Sequence, residues 1–358
     1  MPVTSSAVLD GRWPPPVSGR LPDATAARLQ REVQRWVDAT FFSGVTAAVV
    51  TPEGTWAGAA GVDGAGTRLE PGSGMALASI SKTFTAAEVM LLAERGELDL
   101  DAPAARFVRV PQVSNGVTVR QLLAHRSGVP QAPDPVGAKV MSTPDEHWSP
   151  QRVLASVPAP LDQPGAEFDY NNVNYLLLGL IAEKAARVDL ATALRRDLWD
   201  PQGLDRLAMQ DAQRLAPPLA RPAADEIPRP PKNQQYLPFR SFVSALAAAG
   251  GVAGDAQTVA RWGYLLYGAQ LLRPETVAQM TDFGDGDGYG LGTADFTHGV
   301  AYRSNIDGYG HEGDVPGYRT VLAVIPSRRI SVAILTPSAS PTIGYVQYLL
   351  EAGGLTGG

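Results

Sequence analysis

The chain has 358 residues, 44% hydrophobic and 18% charged, enough apolar material for a sizeable core and too much for a disordered protein. A formal net charge of −6 with no basic run disfavours nucleic acid and anionic membrane surfaces as partners. Cysteine is absent, which excludes disulfides, thiol catalysis and thiolate metal sites.

Residues 1–23 carry Asp10, Arg12, the Pro14-Pro15-Pro16 run and Arg20, with no apolar block of signal-peptide length. The longest apolar stretches, Tyr175 to Ala182 and Ala245 to Gly254, fall well short of the ~18 residues a membrane span needs. The expectation is a cytoplasmic protein with no membrane contact, or a secreted one if a leader has been trimmed.

In chain order, Asp23 is placed to cap a helix over about 24–40, with Ala27, Val33, Trp36 and Val37 near one face. Val45 to Thr51 and Thr55 to Val62 read as two strands joined by a turn at Pro52-Glu53-Gly54. Thr83 to Arg95 is apolar enough for a buried helix ending at Gly96. Thr118 with Gln121 matches a capping box opening a short helix. The segments 128–170 and 211–240 are rich in Pro, Gly and Asp and read as long loops suited to substrate contacts. Helices are predicted over Tyr175 to Arg187 and Thr258 to Gly268, strands over 300–310, 317–325 and 329–336, and a last helix over about 342–352.

Strands at both ends with helices between them predict an α+β fold. One antiparallel sheet is built from the N- and C-terminal segments and flanked by helices, and a largely helical lobe is inserted into it. In this reading residues 1–90 and 250–358 form the sheet lobe, and 91–249 form the inserted lobe with the active-site loops. The join between them is a cleft.

Ser79-Ile80-Ser81-Lys82 is the single S-x-x-K tetrapeptide in the chain, and it opens the buried helix. Spacing of i, i+3 puts Ser79 and Lys82 on one helical face, where free N–H groups and the helix dipole favour a developing negative charge. A serine hydroxyl needs a base before it can attack a carbonyl, and a desolvated lysine can lose its proton and serve as one.

Two glycine-rich patterns are set aside. The alternating glycines from Gly284 to Gly292 lack the spacing and the following helix of a phosphate loop. Asp285 to Gly290 starts like a calcium loop, but Phe296 stands where the bidentate Glu belongs, so no metal is expected. His147 and His298 read as solvated surface side chains, and His125 as a structural residue at a helix end.

The chain resembles the serine β-lactamase-like, penicillin-recognising hydrolases, nearest to their class C β-lactamase, D,D-peptidase and esterase branch. Ala78 to Ala86 is similar to that family's nucleophile helix. Thr118 to Val129 resembles its T-x-x-x-L-L-x-H-x-S-G stretch, and Tyr170-Asn171-Asn172 its Y-x-N element. His311-Glu312-Gly313 falls where the family has K-T-G or H-x-G.

The resemblance implies that Ser79 is the acyl-accepting nucleophile, Lys82 its proton-transfer partner and Tyr170 a second proton carrier. Lys82 and Tyr170 would titrate as a pair, leaving open which is the base. Asn172 would hold the substrate's acyl side chain. His311 would extend the network to Tyr170 or the leaving group, and the backbone N–H groups of Ser79 and Asp314 would form an oxyanion hole beside Gly313. Glu312 departs from the hydroxyl residue common at its position, so it should repel substrate carboxylates unless it turns outward to pair with Arg303 or Arg319.

The function read from these residues is a serine hydrolase working through an acyl-enzyme on a small-molecule or short-peptide ester or amide, of esterase, D-amino-acid amidase or peptidase type, with acyl transfer as a variant and no cofactor. The alternatives are a D,D-carboxypeptidase or β-lactamase, and a non-catalytic ligand-binding or sensor protein. The sequence does not fix the oligomeric state.

Overall fold

In the computed structural model, the described residues are 11–16, 19–160, 162–223, 227, 231–284, 286–298 and 306–356. The elements run α1 (Asp23–Asp38), β1 (Gly44–Thr51), β2 (Gly54–Gly61), β3 (Met75–Ala76), α2 (Ser81–Glu94), α3 (Val119–Leu123), α4 (Asp134–Ser142) and α5 (Pro150–Leu154). They continue with α6 (Asn172–Ala186), α7 (Leu190–Leu194), β4 (Ala208–Met209), α8 (Arg240–Leu246), β5 (Val252–Gly254), α9 (Ala256–Tyr267) and α10 (Pro274–Met280). The chain closes with β6 (Ala294–Asp295), β7 (Tyr309–Val315), β8 (Tyr318–Ile325), β9 (Ile330–Thr336) and α11 (Gly344–Gly353).

The α+β expectation holds. Six strands form one antiparallel sheet in the order β2-β1-β9-β8-β7-β6, so the N-terminal hairpin joins the C-terminal strands through β1 and β9. A small sheet, β3-β5-β4, lies apart. Strand alternation divides β1 between two cores. Val45, Ala47 and Val49 pack with Leu29, Val33 and Trp36 of α1 and Leu349 of α11, whereas Ala48 and Val50 join the larger core that contains α2 and α9.

α2 is buried from Ser81 to Leu92, and two of its threonines find partners in the interior. Thr83 Oγ1 donates to Ile80 O at 2.8 Å and accepts from Trp262 Nε1 at 2.9 Å, and Thr85 Oγ1 donates to Ala248 O at 2.8 Å. These bonds hold the nucleophile helix between α6, α9 and the segment after α8 while leaving no buried hydroxyl of this pair unsatisfied.

Several sequence expectations are corrected. Asp23 does not cap α1; it is the first helical residue, after Pro22, and complements the dipole from inside the first turn. The stretch 128–170 is not one long loop, because it contains α4 and α5. In both, a proline in the first turn begins the helix, where its missing N–H costs nothing, and Ser149 caps α5 by accepting from Arg152 N. The stretch 211–240 reaches α8 only at its last residue, Arg240, and α10, for which no expectation was stated, also starts on a proline, Pro274. α6 begins at Asn172, ahead of the expected Tyr175, because Asn171 Oδ1 accepts from Val173 N at 2.8 Å. Most of the strand expected over 300–310 lies outside the described residues; β7 starts at Tyr309. The Thr118–Gln121 capping box is present as expected.

Candidate active site

Ser79 sits in a single 3-10 turn, Ala78–Ile80, that feeds α2. Ala78, immediately before it, has φ of +51°, a conformation that costs a non-glycine residue about 1–3 kcal/mol. The surroundings impose it. Leu77 N donates to Val252 O at 2.9 Å, and Thr320 Oγ1 donates to Leu77 O at 3.0 Å, so β5 and β8 clamp the turn from two sides. β7 passes close over the same turn at Gly313. A Cβ built there would lie 2.2 Å from Thr320 Oγ1 and 2.3 Å from Leu77 O, so only glycine lets the strand approach the nucleophile turn.

Lys82 is fully buried, and its Nζ lies 2.9 Å from Ser79 Oγ, 2.8 Å from Asn172 Oδ1 and 2.9 Å from Ala249 O. Burial pushes the Lys82 ammonium well below its ordinary range. Both carbonyl oxygens can only accept, so Lys82 Nζ donates to each of them. When Lys82 is neutral, its lone pair is left for Ser79 Oγ, the one neighbour of the three able to donate. The Lys82 amine also lies 4.8 Å from the centre of the Tyr170 ring.

Tyr170 is half-buried. His125 stacks behind it at 4.5 Å between ring centres, and its backbone oxygen accepts from Gln131 Nε2. A cleft of about 420 Å³ is lined by Ser79, Tyr170, Asn172, Glu312, Gly313 and Asp314, together with Arg319, Pro341 and Thr342. Lys82 and His311 are buried beneath these lining residues.

The family model described as Beta-lactamase matches residues 29–347, nearly the whole chain. The chain belongs to the β-lactamase family. Penicillin-binding protein 4 of Amycolatopsis lactamdurans is 26% identical over 305 residues, 80% of this chain and 78% of that protein. A D-stereospecific amidohydrolase from Streptomyces sp. superposes with a TM-score of 0.73 at 24% identity, covering 93% of this chain and 99% of its own. The D-amino acid amidase from Ochrobactrum anthropi SV3, complexed with D-phenylalanine, superposes at 0.74 and 20% identity, covering 92% and 98%. This β-lactamase-family chain is accordingly a serine hydrolase of amide or ester substrates.

Within this family member, His311 departs from its sequence expectation. His311 does not line the cleft. Its Nδ1 lies 2.6 Å from Glu312 O and therefore carries the proton, and its Nε2 lies 3.0 Å from the Tyr289 hydroxyl, which donates to it. Burial, followed by the charge of Lys82, lowers its pKa to about 3, so the ring is neutral at physiological pH. Its described hydrogen bonds thus run to Tyr289 and its own strand, with the Tyr170 ring centre 6.0 Å away. Tyr289 went unmarked by sequence reasoning because no local pattern distinguishes it among the glycines from Gly284 to Gly292.

Glu312 lines the cleft, the position expected of it. Arg319 forms its ion pair with Asp314 at 3.0 Å, Arg303 lies outside the described residues, and no described side chain pairs with the Glu312 carboxylate. Burial, then Asp314, raises the Glu312 carboxyl to about 7.

His125 plays a part other than the helix-end role expected of it. Its Nδ1 accepts from Asn171 N at 3.1 Å and lies 3.2 Å from Asn174 Nδ2, which ties the start of α6 to the ring stacked on Tyr170. His147 is paired with Asp211 at 2.7 Å, and His298 with Asp295 at 3.2 Å. Among the described residues, no helix is long and apolar enough to cross a membrane.

Proposed function

We propose that this chain hydrolyses amides and esters through an acyl-enzyme on Ser79, with Lys82 as the amine that receives the Ser79 proton. The buried Lys82, held by two carbonyl acceptors with its lone pair toward Ser79 Oγ, carries this reading. Ser79 Oγ attacks the substrate carbonyl as its proton moves to Nζ. The backbone N–H groups of Ser79 and Asp314 hold the developing oxyanion, each worth about 3–4 kcal/mol of barrier. The proton then passes from Lys82, with the Tyr170 hydroxyl as relay, to the departing nitrogen or oxygen. Water attacks the acyl-enzyme by the same route in reverse and frees Ser79.

The substrate class we propose is an amide or ester of a D-amino acid, by analogy with the D-stereospecific amidohydrolase and the D-amino acid amidase among its structural neighbours. Glu312 supports that choice over a D,D-carboxypeptidase, since a carboxylate lining the cleft repels a C-terminal carboxylate and tolerates a carboxamide or an ammonium group. Likeness to penicillin-binding protein 4 keeps the peptidase as the second reading. The test compares kcat/KM for D-phenylalanine amide, an N-acyl-D-alanyl-D-alanine peptide and nitrocefin. The amide should exceed both by at least tenfold; a preference for the peptide would replace the amidase by the second reading.

A further inference from the structure

The glycine-rich segment that fits neither a phosphate loop nor a calcium loop has a use in this fold, which is to deliver Tyr289 to the interior. A Cβ on Gly290 would lie 2.2 Å from Met280 O, and one on Gly292 2.3 Å from Ala86 Cβ, so the turn packs directly on α10 and α2. Gly290 N donates to Thr293 O and Asp295 N to Gly288 O, both at 2.8 Å, which closes the turn onto β6. Tyr289, 5% exposed, is thereby fixed among four rings. Their centres lie at 4.8 Å (His125), 5.7 Å (His311), 5.8 Å (Tyr170) and 5.9 Å (Phe168).

The Tyr289 hydroxyl starts a directed chain. Glu312 O can only accept, so the His311 proton sits on Nδ1, and the bare Nε2 takes the hydrogen of Tyr289. Which nitrogen of a neutral imidazole is protonated is set by the bond the other one makes. The opposite tautomer would turn a bare Nδ1 toward the Glu312 oxygen at 2.6 Å, lone pair against lone pair. Phe296 N donates to Gly308 O at 3.0 Å, and backbone groups on a strand alternate between its two edges, so Gly308, Gly310, Glu312 and Asp314 all address the β6 side of β7. β6 itself pairs only with Tyr309 and Gly310. Among the described residues no strand covers that edge farther on, and the His311 N–H takes the place of a ladder partner at Glu312 O.

We propose that Tyr289 is a positioning residue of the reaction: by donating to His311 Nε2 it keeps the imidazole proton on Glu312 O, and so holds the β7 edge where the Asp314 N–H meets the oxyanion. The inference rests on the acyl-enzyme reading and on the oxyanion role given there to Asp314. Tyr289 touches no substrate. Its effect reaches the reaction through one ring and one strand, and belongs to the rate of the chemical steps more than to substrate binding.

The test is Tyr289→Phe, which keeps the ring and deletes the hydroxyl. It is read as kcat and KM on p-nitrophenyl butyrate, and as the His311 tautomer by nitrogen-15 NMR of histidine-labelled protein. Removing an oxyanion donor outright costs about 100–1000-fold in kcat. Displacing one should cost at least tenfold, with KM within twofold, while the Nδ1–H signal of His311 gives way to the Nε2–H form. His311→Asn assigns that signal and puts an amide N–H where Nδ1–H stood, with no need of Tyr289. In that background Tyr289→Phe should change kcat less than twofold. An unchanged kcat in Tyr289→Phe, a tenfold loss with the Nδ1–H tautomer intact, or an equal loss in the His311→Asn background would overturn the proposal. An Nε2–H ring in the unaltered protein would overturn it too, and that reading requires no variant to fold. Failure of the acyl-enzyme reading looks different: turnover of the same ester would then survive Ser79→Ala.

Discussion

Asn172 turns its side-chain oxygen to Lys82 Nζ at 2.8 Å, and so places a neutral acceptor where a carboxylate would have fixed the lysine as an ammonium ion. Asn172→Asp puts a negative charge at that distance. The Lys82 pKa rises, the lone pair facing Ser79 is lost at neutral pH, and kcat/KM at pH 7 should fall at least 100-fold. The acid limb of the pH–rate profile should move upward by at least one unit, measured with any ester the protein turns over. A profile that keeps its shape would show that Lys82 does not act as the amine.

Gly313→Ala forces a methyl group against a backbone oxygen, Leu77 O, as well as Thr320 Oγ1. Moving Thr320 cannot relieve the first contact. Stability should drop by about 1–3 kcal/mol in a denaturant titration, with activity lost more steeply because the strand is pushed off the nucleophile turn. Thr320→Ala in the same chain should recover little of either.

Glu312→Thr removes a carboxylate from the cleft. Above pH 7, kcat/KM for carboxylate-terminated substrates should rise at least severalfold. Because the Glu312 carboxyl sits near 7, the advantage should shrink as pH falls and the native residue itself becomes neutral. An equal effect at pH 5.5 and pH 8.5 would locate the gain elsewhere.

Glu88, buried on α2, is raised to about 8 by burial first and by Asp197 next. An unfolded glutamate titrates near ~4.3. Between these values the native state keeps a proton the unfolded chain has released, so stability falls as pH rises through that window, by at most about 1.4 kcal/mol per unit. Tm should decline from pH 5 to pH 8, and Glu88→Gln should flatten the decline. Parallel curves for the two proteins would contradict this assignment.

What the sequence made legible is local. S-x-x-K on a buried helix needs only i, i+3 geometry, and the Thr118 capping box needs only four residues. Asn171 and Asn172 were readable as a pair, but not that one caps α6 while the other faces Lys82. Two misreadings share one cause: Pro135 and Pro150 count toward the loop reading of 128–170, whereas a proline in the first turn is equally a helix start. Tyr289 and Ala249 reach the site through tertiary contacts alone, one at the edge of a glycine-rich segment and the other through a backbone oxygen. Neither carries a sequence pattern. Glu312 was legible as a departure, and its inward orientation required the ladder of β7 on β8, which commits Arg319 to Asp314.

The acyl-enzyme itself is the most direct test. Intact-protein mass spectrometry, taken at short times after mixing with p-nitrophenyl phenylacetate, should show one added acyl group that maps to the peptide holding Ser79 and decays as product accumulates. Ser79→Ala should show neither the adduct nor turnover. Undiminished hydrolysis by Ser79→Ala, or an adduct that maps to another residue, would contradict the account.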